Sequence, residues 1–187
     1  MARLPGEPDK RLATIERVLA LIGRATANWA TLEFYINEVI WGLAETPPAY
    51  GACITAQIFT IDGRLKALLA LLKLRRANTK TIKSVNRFVE AARGPSEKRN
   101  RMAHDAWGFG TKSGAPSKIE VTADKKLVFR LRAVDINELK KDVREIEECV
   151  VRFVGIRDQI LAELPSLPDI PPSELRPISE GPRRRQT

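Results

Sequence analysis

Two long stretches of this chain repeat apolar residues at alternating intervals of three and four. Two short stretches alternate apolar and polar residues one by one. Leu12, Ile15, Leu19, Ile22, Thr26, Trp29, Glu33, Ile36, Ile40 and Leu43 make up the first long stretch. That spacing predicts one helix over 9–44 with these side chains on a single face. Thr46-Pro47-Pro48 stops it. A shorter helix is expected over 49–59. Asp62 reads as the N-cap of a helix over 63–76. Asn78 or Thr79 begins the next, whose stripe is Ile82, Val85, Phe88 and Val89. Gly94-Pro95 is expected to break it near residue 93, and Ser96 to cap a short helix reaching Trp107.

A Gly/Ser/Pro loop is expected over 108–117. Ile119-Glu-Val-Thr and Lys126-Leu-Val-Phe-Arg-Leu then alternate at period two around Ala123-Asp-Lys, which predicts a small hairpin over about 118–132. Asp135-Ile-Asn-Glu has the form of a capping box, with Val134 and Leu139 placed as a hydrophobic staple. Ile136, Leu139, Val143, Ile146, Val150, Phe153, Ile160 and Leu164 mark the last long helix, interrupted by Arg157. Together these elements predict a mainly α fold: an antiparallel helical bundle over residues 9–164, with a β-hairpin inserted before the last helix. Residues 1–8 are expected to be a flexible lead-in. Residues 165–187 hold six of the twelve prolines and end in an arginine-rich run, which predicts a disordered tail.

Composition narrows the class. The 187 residues suit one domain plus a tail, and 43% hydrophobic residues suffice for a core. The N-terminus lacks an apolar stretch of the secretory kind, and no apolar run approaches the length of a membrane span. A soluble, cytoplasmic protein with no membrane association is therefore expected. Cys53 and Cys149 lie in apolar helical surroundings and read as reduced core residues. The charge is uneven. Residues 61–112 hold 13 Lys or Arg against four acids, a local excess of nine that equals the net charge of the whole chain. A basic segment of this kind attracts polyanions, although charge runs on helices are by default solvated faces.

The only histidine, His104, lies in that segment, in Arg99-Asn100-Arg101-Met102-Ala103-His104-Asp105-Ala106-Trp107. On a helix Asn100 and His104 share a face, and the long stem of Arg99 lets its guanidinium swing toward them. An amide, an imidazole and a guanidinium suit metal-independent RNA cleavage. A 2′-OH must lose a proton as it attacks phosphorus, the 5′-oxygen must gain one, and the phosphorane needs a cation. One imidazole cannot be base and acid at once, so a homodimer with a composite site is expected. The structural alternative for His104 is a helix residue packed on the bundle. Asp105 either orients His104 or favours a helix start. Glu33, on the apolar seam, either takes Arg99 or another arginine of the basic segment as partner, or sits at the solvent edge of a wide seam. Arg101 and Arg93, with Lys98, Arg87 and Lys83, are the candidates to hold a phosphate backbone.

Arg99, Asn100 and His104 together resemble the Arg-polar-x-x-x-His signature of HEPN domains (higher eukaryotes and prokaryotes nucleotide-binding). The resemblance extends loosely over residues 9–164, but only the six-residue motif is sharp. It implies a metal-independent ribonuclease acting at a dimer interface, of the kind found in toxin–antitoxin, abortive-infection and CRISPR systems. In that setting His104 is the general acid/base, Arg99 stabilises the phosphate, and Asn100 positions ring or phosphate. Partners would be RNA, a second copy, and an antitoxin or other protein; no cofactor and no metal are expected. Some members carry a tyrosine two places after the histidine as a nucleotide acceptor; Ala106 stands there, which argues against that modification. The alternative is a catalytically inactive HEPN-like dimer that binds nucleic acid, a nucleotide or a protein. Other chemistries find no footing: no Cys/His cluster has zinc spacing. The acidic positions Glu138, Asp142, Glu145 and Glu148 are interleaved with Lys140, Lys141 and Arg144 and read as surface ion pairing.

Overall fold

The computed structural model describes residues 9–124 and 126–169. In order these form α1 (Lys10–Leu43), α2 (Pro48–Thr55), α3 (Ile61–Leu74), α4 (Thr79–His104), β1 (Ala106–Phe109), β2 (Pro116–Asp124), β3 (Lys126–Ala133) and α5 (Ile136–Glu163), then a 3-10 turn at Leu164–Ser166. The fold is mainly α with a small antiparallel sheet placed before the last long helix, as the periodicities predict. The tail expected over 165–187 begins with that turn; residues 1–8 and 170–187 lie outside the described residues. Among the described residues no helix is long and apolar enough to cross a membrane.

Helix starts follow short-range chemistry. Asp9, Asn78 and Asp135 each accept a hydrogen bond from the backbone N–H two residues on, at 3.0, 2.9 and 2.8 Å, satisfying donors that have no partner within the helix. Val134 and Leu139 both pack on the core, as a staple requires. Asp62 is not a cap. Thr60 holds that place, its Oγ1 accepting from Gly63 N at 3.1 Å. Asp62 lies in the first turn and pairs with Lys66 at 2.7 Å.

The core lies between α1, α3, α4 and α5. Trp29, Leu32, Ile36, Leu43, Leu68, Leu72, Phe88, Ile146, Phe153 and Ile160 are almost wholly enclosed. Phe88 of α4 and Phe153 of α5 meet at 5.1 Å between ring centroids. The buried ridge of α1 differs in part from the expected one. Trp29, Ile36, Ile40 and Leu43 are buried as predicted, but their companions are Val18, Leu21, Ala25, Leu32 and Val39. Leu12 and Leu19 are exposed. The expected track ran through Thr26 and Glu33, which would need polar partners in the core, whereas Ala25 and Leu32 need none. Glu33 is instead half-buried beside the seam. It accepts from Trp29 Nε1 at 3.1 Å and lies 3.5 Å from Arg64, so its arginine is Arg64 and not Arg99. Cys149 is buried, and burial pushes its thiol up from its ordinary pKa. Cys53, expected in the core, is exposed on α2.

Polar contacts give the helix directions. Arg24 pairs with Glu147, and Arg157 holds Glu38 through two bonds of 2.7 and 3.1 Å, so α1 and α5 advance together. Lys98 reaches Glu145, whereas Thr81 donates to Glu163, so α4 runs against α5. Arg64 faces Glu33 and Arg75 faces Glu45, which aligns α3 with α1. The bundle is thus three helices in one direction and α4 in the other. The segment containing α2 carries the chain back between α1 and α3. Arg157, the interruption in the last stripe, is tied to Glu38 and lies 5.0 Å above the Tyr35 ring. The Glu38 hydrogen bonds raise its pKa.

Two local expectations fail together. Gly94-Pro95 does not break the chain: α4 runs unbroken for 26 residues with Pro95 inside it. Ser96 therefore caps nothing. Trp107 is no helix residue but the second of β1, a strand the Gly-rich composition of 108–117 concealed. The β1–β2 turn then docks on the start of α1. Gly114 has φ +70°, and a Cβ there would lie 2.7 Å from the carbonyl oxygen of Arg11. Only glycine meets both conditions.

The sheet order is β1-β2-β3, all antiparallel, with Ile119 opposite Leu131 and Val121 opposite Phe129. Glu120 on the other face is only 5% exposed. It accepts from Arg130 Nε at 2.8 Å and from Arg132 Nη1 at 3.1 Å. Those bonds hold its carboxyl well below the ordinary range, at about 2.

Two outcomes follow from this packing. Phe153→Ala should lower stability by about 3–5 kcal/mol, read from urea denaturation, because the cavity opens against Phe88. A folded-state pKa below the unfolded one means stability is present above about 4.5 and is lost as pH falls toward about 2. Wild type should therefore melt above Glu120→Gln near neutrality, and the gap should close on acidification through that window. A gap that does not change with pH would show that the arginine pairing does not stabilise the fold.

Candidate functional site

The motif sits at the end of α4, not at the start of a short helix. Asp105 is the C-cap, in extended conformation, with its N–H on the carbonyl of Arg101. The last turn of a helix leaves carbonyls without intrahelical donors. Trp107 Nε1 fills one of these places, donating to the Met102 carbonyl at 3.0 Å. This bond ties β1 to the helix end and fixes the turn that carries His104. Asp105 ends the helix rather than starting one. Its carboxylate faces Lys118 of β2 at 3.3 Å, a second link between helix end and sheet.

Asn100 and His104 come together, as their four-residue spacing requires. Both are exposed, and both line an open depression of about 330 Å³ with Glu97, Arg101, Asp105 and Val121. Arg99 is half-buried and lies outside that lining. Its Nη1 donates to Asn100 Oδ1 at 3.0 Å, while its enclosed Nε has no partner. The guanidinium thus leans on the amide that borders the depression, with donors to spare. Asn100 spends its oxygen on Arg99 and keeps its amide N–H groups for a ligand.

The candidate phosphate contacts divide. Lys83, Arg87, Arg101 and His104 recur at helical spacing and are all exposed, so they share the solvent face of α4. They extend over about 30 Å of helix. Arg93 is exposed beside this line and pairs with Glu90 at 3.1 Å. Lys98 is committed elsewhere. Its Nζ lies 2.7 Å from Asp142 and 2.5 Å from Glu145 of α5. Burial acts to lower its pKa, but the two carboxylates outweigh that and the net shift is upward. The acidic face of α5 therefore clamps α4 rather than pairing only within itself. Elsewhere in the basic segment, Arg64, Lys66 and Arg75 are likewise paired with Glu33, Asp62 and Glu45.

Arg101 also borders a second cavity of about 360 Å³ between α4, the sheet and α5. Met102, Trp107, Val134 and Leu139 give it apolar walls; Lys118, Arg132 and Lys141 give it cationic ones. Sequence reasoning missed this cavity and the roles of Glu97, Lys118 and Val121. The alternation of Lys118-Glu120 against Ile119-Val121 was visible, but the existence of β1 was needed to bring it beside His104.

Among the described residues no group of three or more His, Cys, Asp and Glu side chains is arranged to hold a metal ion. What the cluster can supply is a proton acceptor and donor in the imidazole, amide hydrogen bonds, and fixed positive charge from two arginines. No protein-family model, curated protein or solved structure matches this chain.

Proposed function

We propose that this protein is a metal-independent endoribonuclease of the HEPN type, cleaving single-stranded RNA at a site completed by a second copy, in the manner of a toxin or phage-defence effector. The observation that carries the reading is the pairing of Asn100 and His104 in one open depression at the end of a helix whose exposed face is lined with cations. The phosphate backbone lies along Lys83, Arg87 and Arg101, neutralised by them. His104 takes the 2′-OH proton as that oxygen attacks phosphorus; the P–O5′ bond breaks and leaves a 2′,3′-cyclic phosphate. His104 of the other copy gives the 5′-oxygen its proton. Arg99, released from or shared with Asn100, stabilises the dianionic phosphorane.

One observation favours a second reading. In the single chain Arg99 stays outside the depression and is tied to Asn100. A chain that keeps this arrangement when bound would be a dimeric module that holds RNA, a nucleotide or a protein without cutting.

Labelled single-stranded RNA incubated in EDTA separates the two. His104→Ala and Arg99→Ala should each cut about 10²–10⁴-fold more slowly than wild type. Their circular dichroism should not change, because His104 is exposed and Arg99 makes one side-chain bond. Full activity in His104→Ala sinks the mechanism; firm binding without cleavage by wild type supports the second reading. Lys83→Ala and Arg87→Ala should weaken binding whatever the RNA sequence. Each should also flatten the salt slope by roughly 0.7, the share of one neutralised phosphate on a single strand.

A further inference from the structure

The sheet is turned inside out. Antiparallel sheets that cover a core on one side normally place apolar residues inward and polar residues outward. Here the opposite face is polar: Glu120 is enclosed by its ion-pair partners Arg130, Arg132 and Lys118, of which the two arginines remain more than half exposed. The apolar set faces out: Val121 is 54% exposed, Leu127 72%, Phe129 71% and Leu131 71%. Register makes this one patch, because Val121 lies opposite Phe129, and Leu131 lies opposite the half-buried Ile119. Isolated exposed leucines are ordinary, but a contiguous apolar face of this kind on a small protein marks a contact surface.

We infer that this face is the homodimer interface, packed on the same face of a second copy about a two-fold axis. Three observations select that occupant. The patch is made of one strand pair and is apolar throughout, so it is complementary to itself, as an isologous contact requires. Its exposed side chains supply on the order of 500 Å² per copy, against about 800 Å² per partner in a standard interface, and the adjoining rim can supply the rest. That rim is the His104 depression, which Val121 also lines, and it carries both signs of charge in Glu97, Asp105 and Arg101. A two-fold axis can then set Arg101 of one copy against an acid of the other. RNA is a poorer occupant for the patch itself, since Phe129 offers its bases one ring to stack on and the leucine and valine side chains offer its phosphates nothing.

The consequence for the site rests on the ribonuclease reading: pairing through this face brings two His104 depressions to the edge of one interface. The interface itself does not rest on that reading, and the test keeps the two apart. Sedimentation velocity of the full chain, without RNA, at micromolar concentration should give a particle of twice the 20.9 kDa chain mass. Phe129→Glu and, separately, Leu127→Lys should shift it to the monomer with an unchanged circular dichroism spectrum, since both residues are exposed. His104→Ala should remain a dimer. A monomeric wild type overturns the inference even if it cuts RNA, and so does a dimer that both variants leave intact. A wild type that is monomeric and floats with anionic liposomes overturns it in favour of a lipid surface. A dimer that both variants dissociate sustains the interface even if no RNA is cut.

Discussion

A proline inside a helix removes one backbone hydrogen bond and sets its ring against the preceding turn, at a cost of about 3 kcal/mol. α4 carries Pro95 near its middle and still runs on for nine residues. What holds it there is α5. Phe88 is locked against Phe153 on one side of the proline, and Met102 is buried on the other. Lys98, three residues past Pro95, is gripped by Asp142 and Glu145. Burial of two such side chains is worth about 1.5–3 kcal/mol each, enough to offset the proline. Everything at the candidate site depends on that continuity. If α4 stopped at Gly94, the turn bearing Asn100 and His104 would not be the end of a long fixed rod, and β1 would have no helix terminus to close.

That terminus is joined to the sheet by two contacts, Trp107 to the Met102 carbonyl and Asp105 to Lys118. Lys118 also lies 3.8 Å from Glu120, which the two arginines hold. A chain of charge thus passes from the end of α4 through β2 to β3, covered at Lys118 and Glu120 and open to solvent at Arg130 and Arg132. The polar side of the hairpin is used to fasten it to the bundle. The apolar side is left over, and it faces out beside His104. The inversion has a direct physical cause: the helix end presents unsatisfied carbonyls and a C-cap aspartate, which call for donors and cations, not for leucine.

What could be read from the sequence was whatever depends on neighbours along the chain. Asp9, Asn78 and Asp135 are caps whose partners lie two residues away, and the spacing of Asn100 and His104 fixes their shared face without reference to anything else. Three matters depended on distant segments. Whether Pro95 breaks a helix is decided by α5, some fifty residues on. Which of two adjacent ridges of α1 is buried is decided by what packs on it; the polar Thr26 and Glu33 were the usable signal, since a core seldom accepts them unpartnered. Period-two alternation says which residues of a hairpin share a face, but it is symmetric and cannot say which face is covered. Val121, Phe129 and Leu131 were legible as a set and illegible as a surface.

The same distinction bears on charge. The excess of nine over residues 61–112 reads from sequence as one basic face, yet Arg64, Arg75 and Lys98 are drawn to carboxylates of other segments. They fasten helices together and contribute little outward field. Lys83, Arg87 and Arg101 keep their charge outward and lie on α4 along one line that ends at His104, while Lys73 and Lys112 are exposed on other parts of the segment. A polyanion drawn to that line would be led toward the imidazole rather than spread over the bundle. Net charge alone carries no such direction. It comes from the helix period, from the ion pairs that take up Arg64, Arg75 and Lys98, and from the continuity of α4 through its proline.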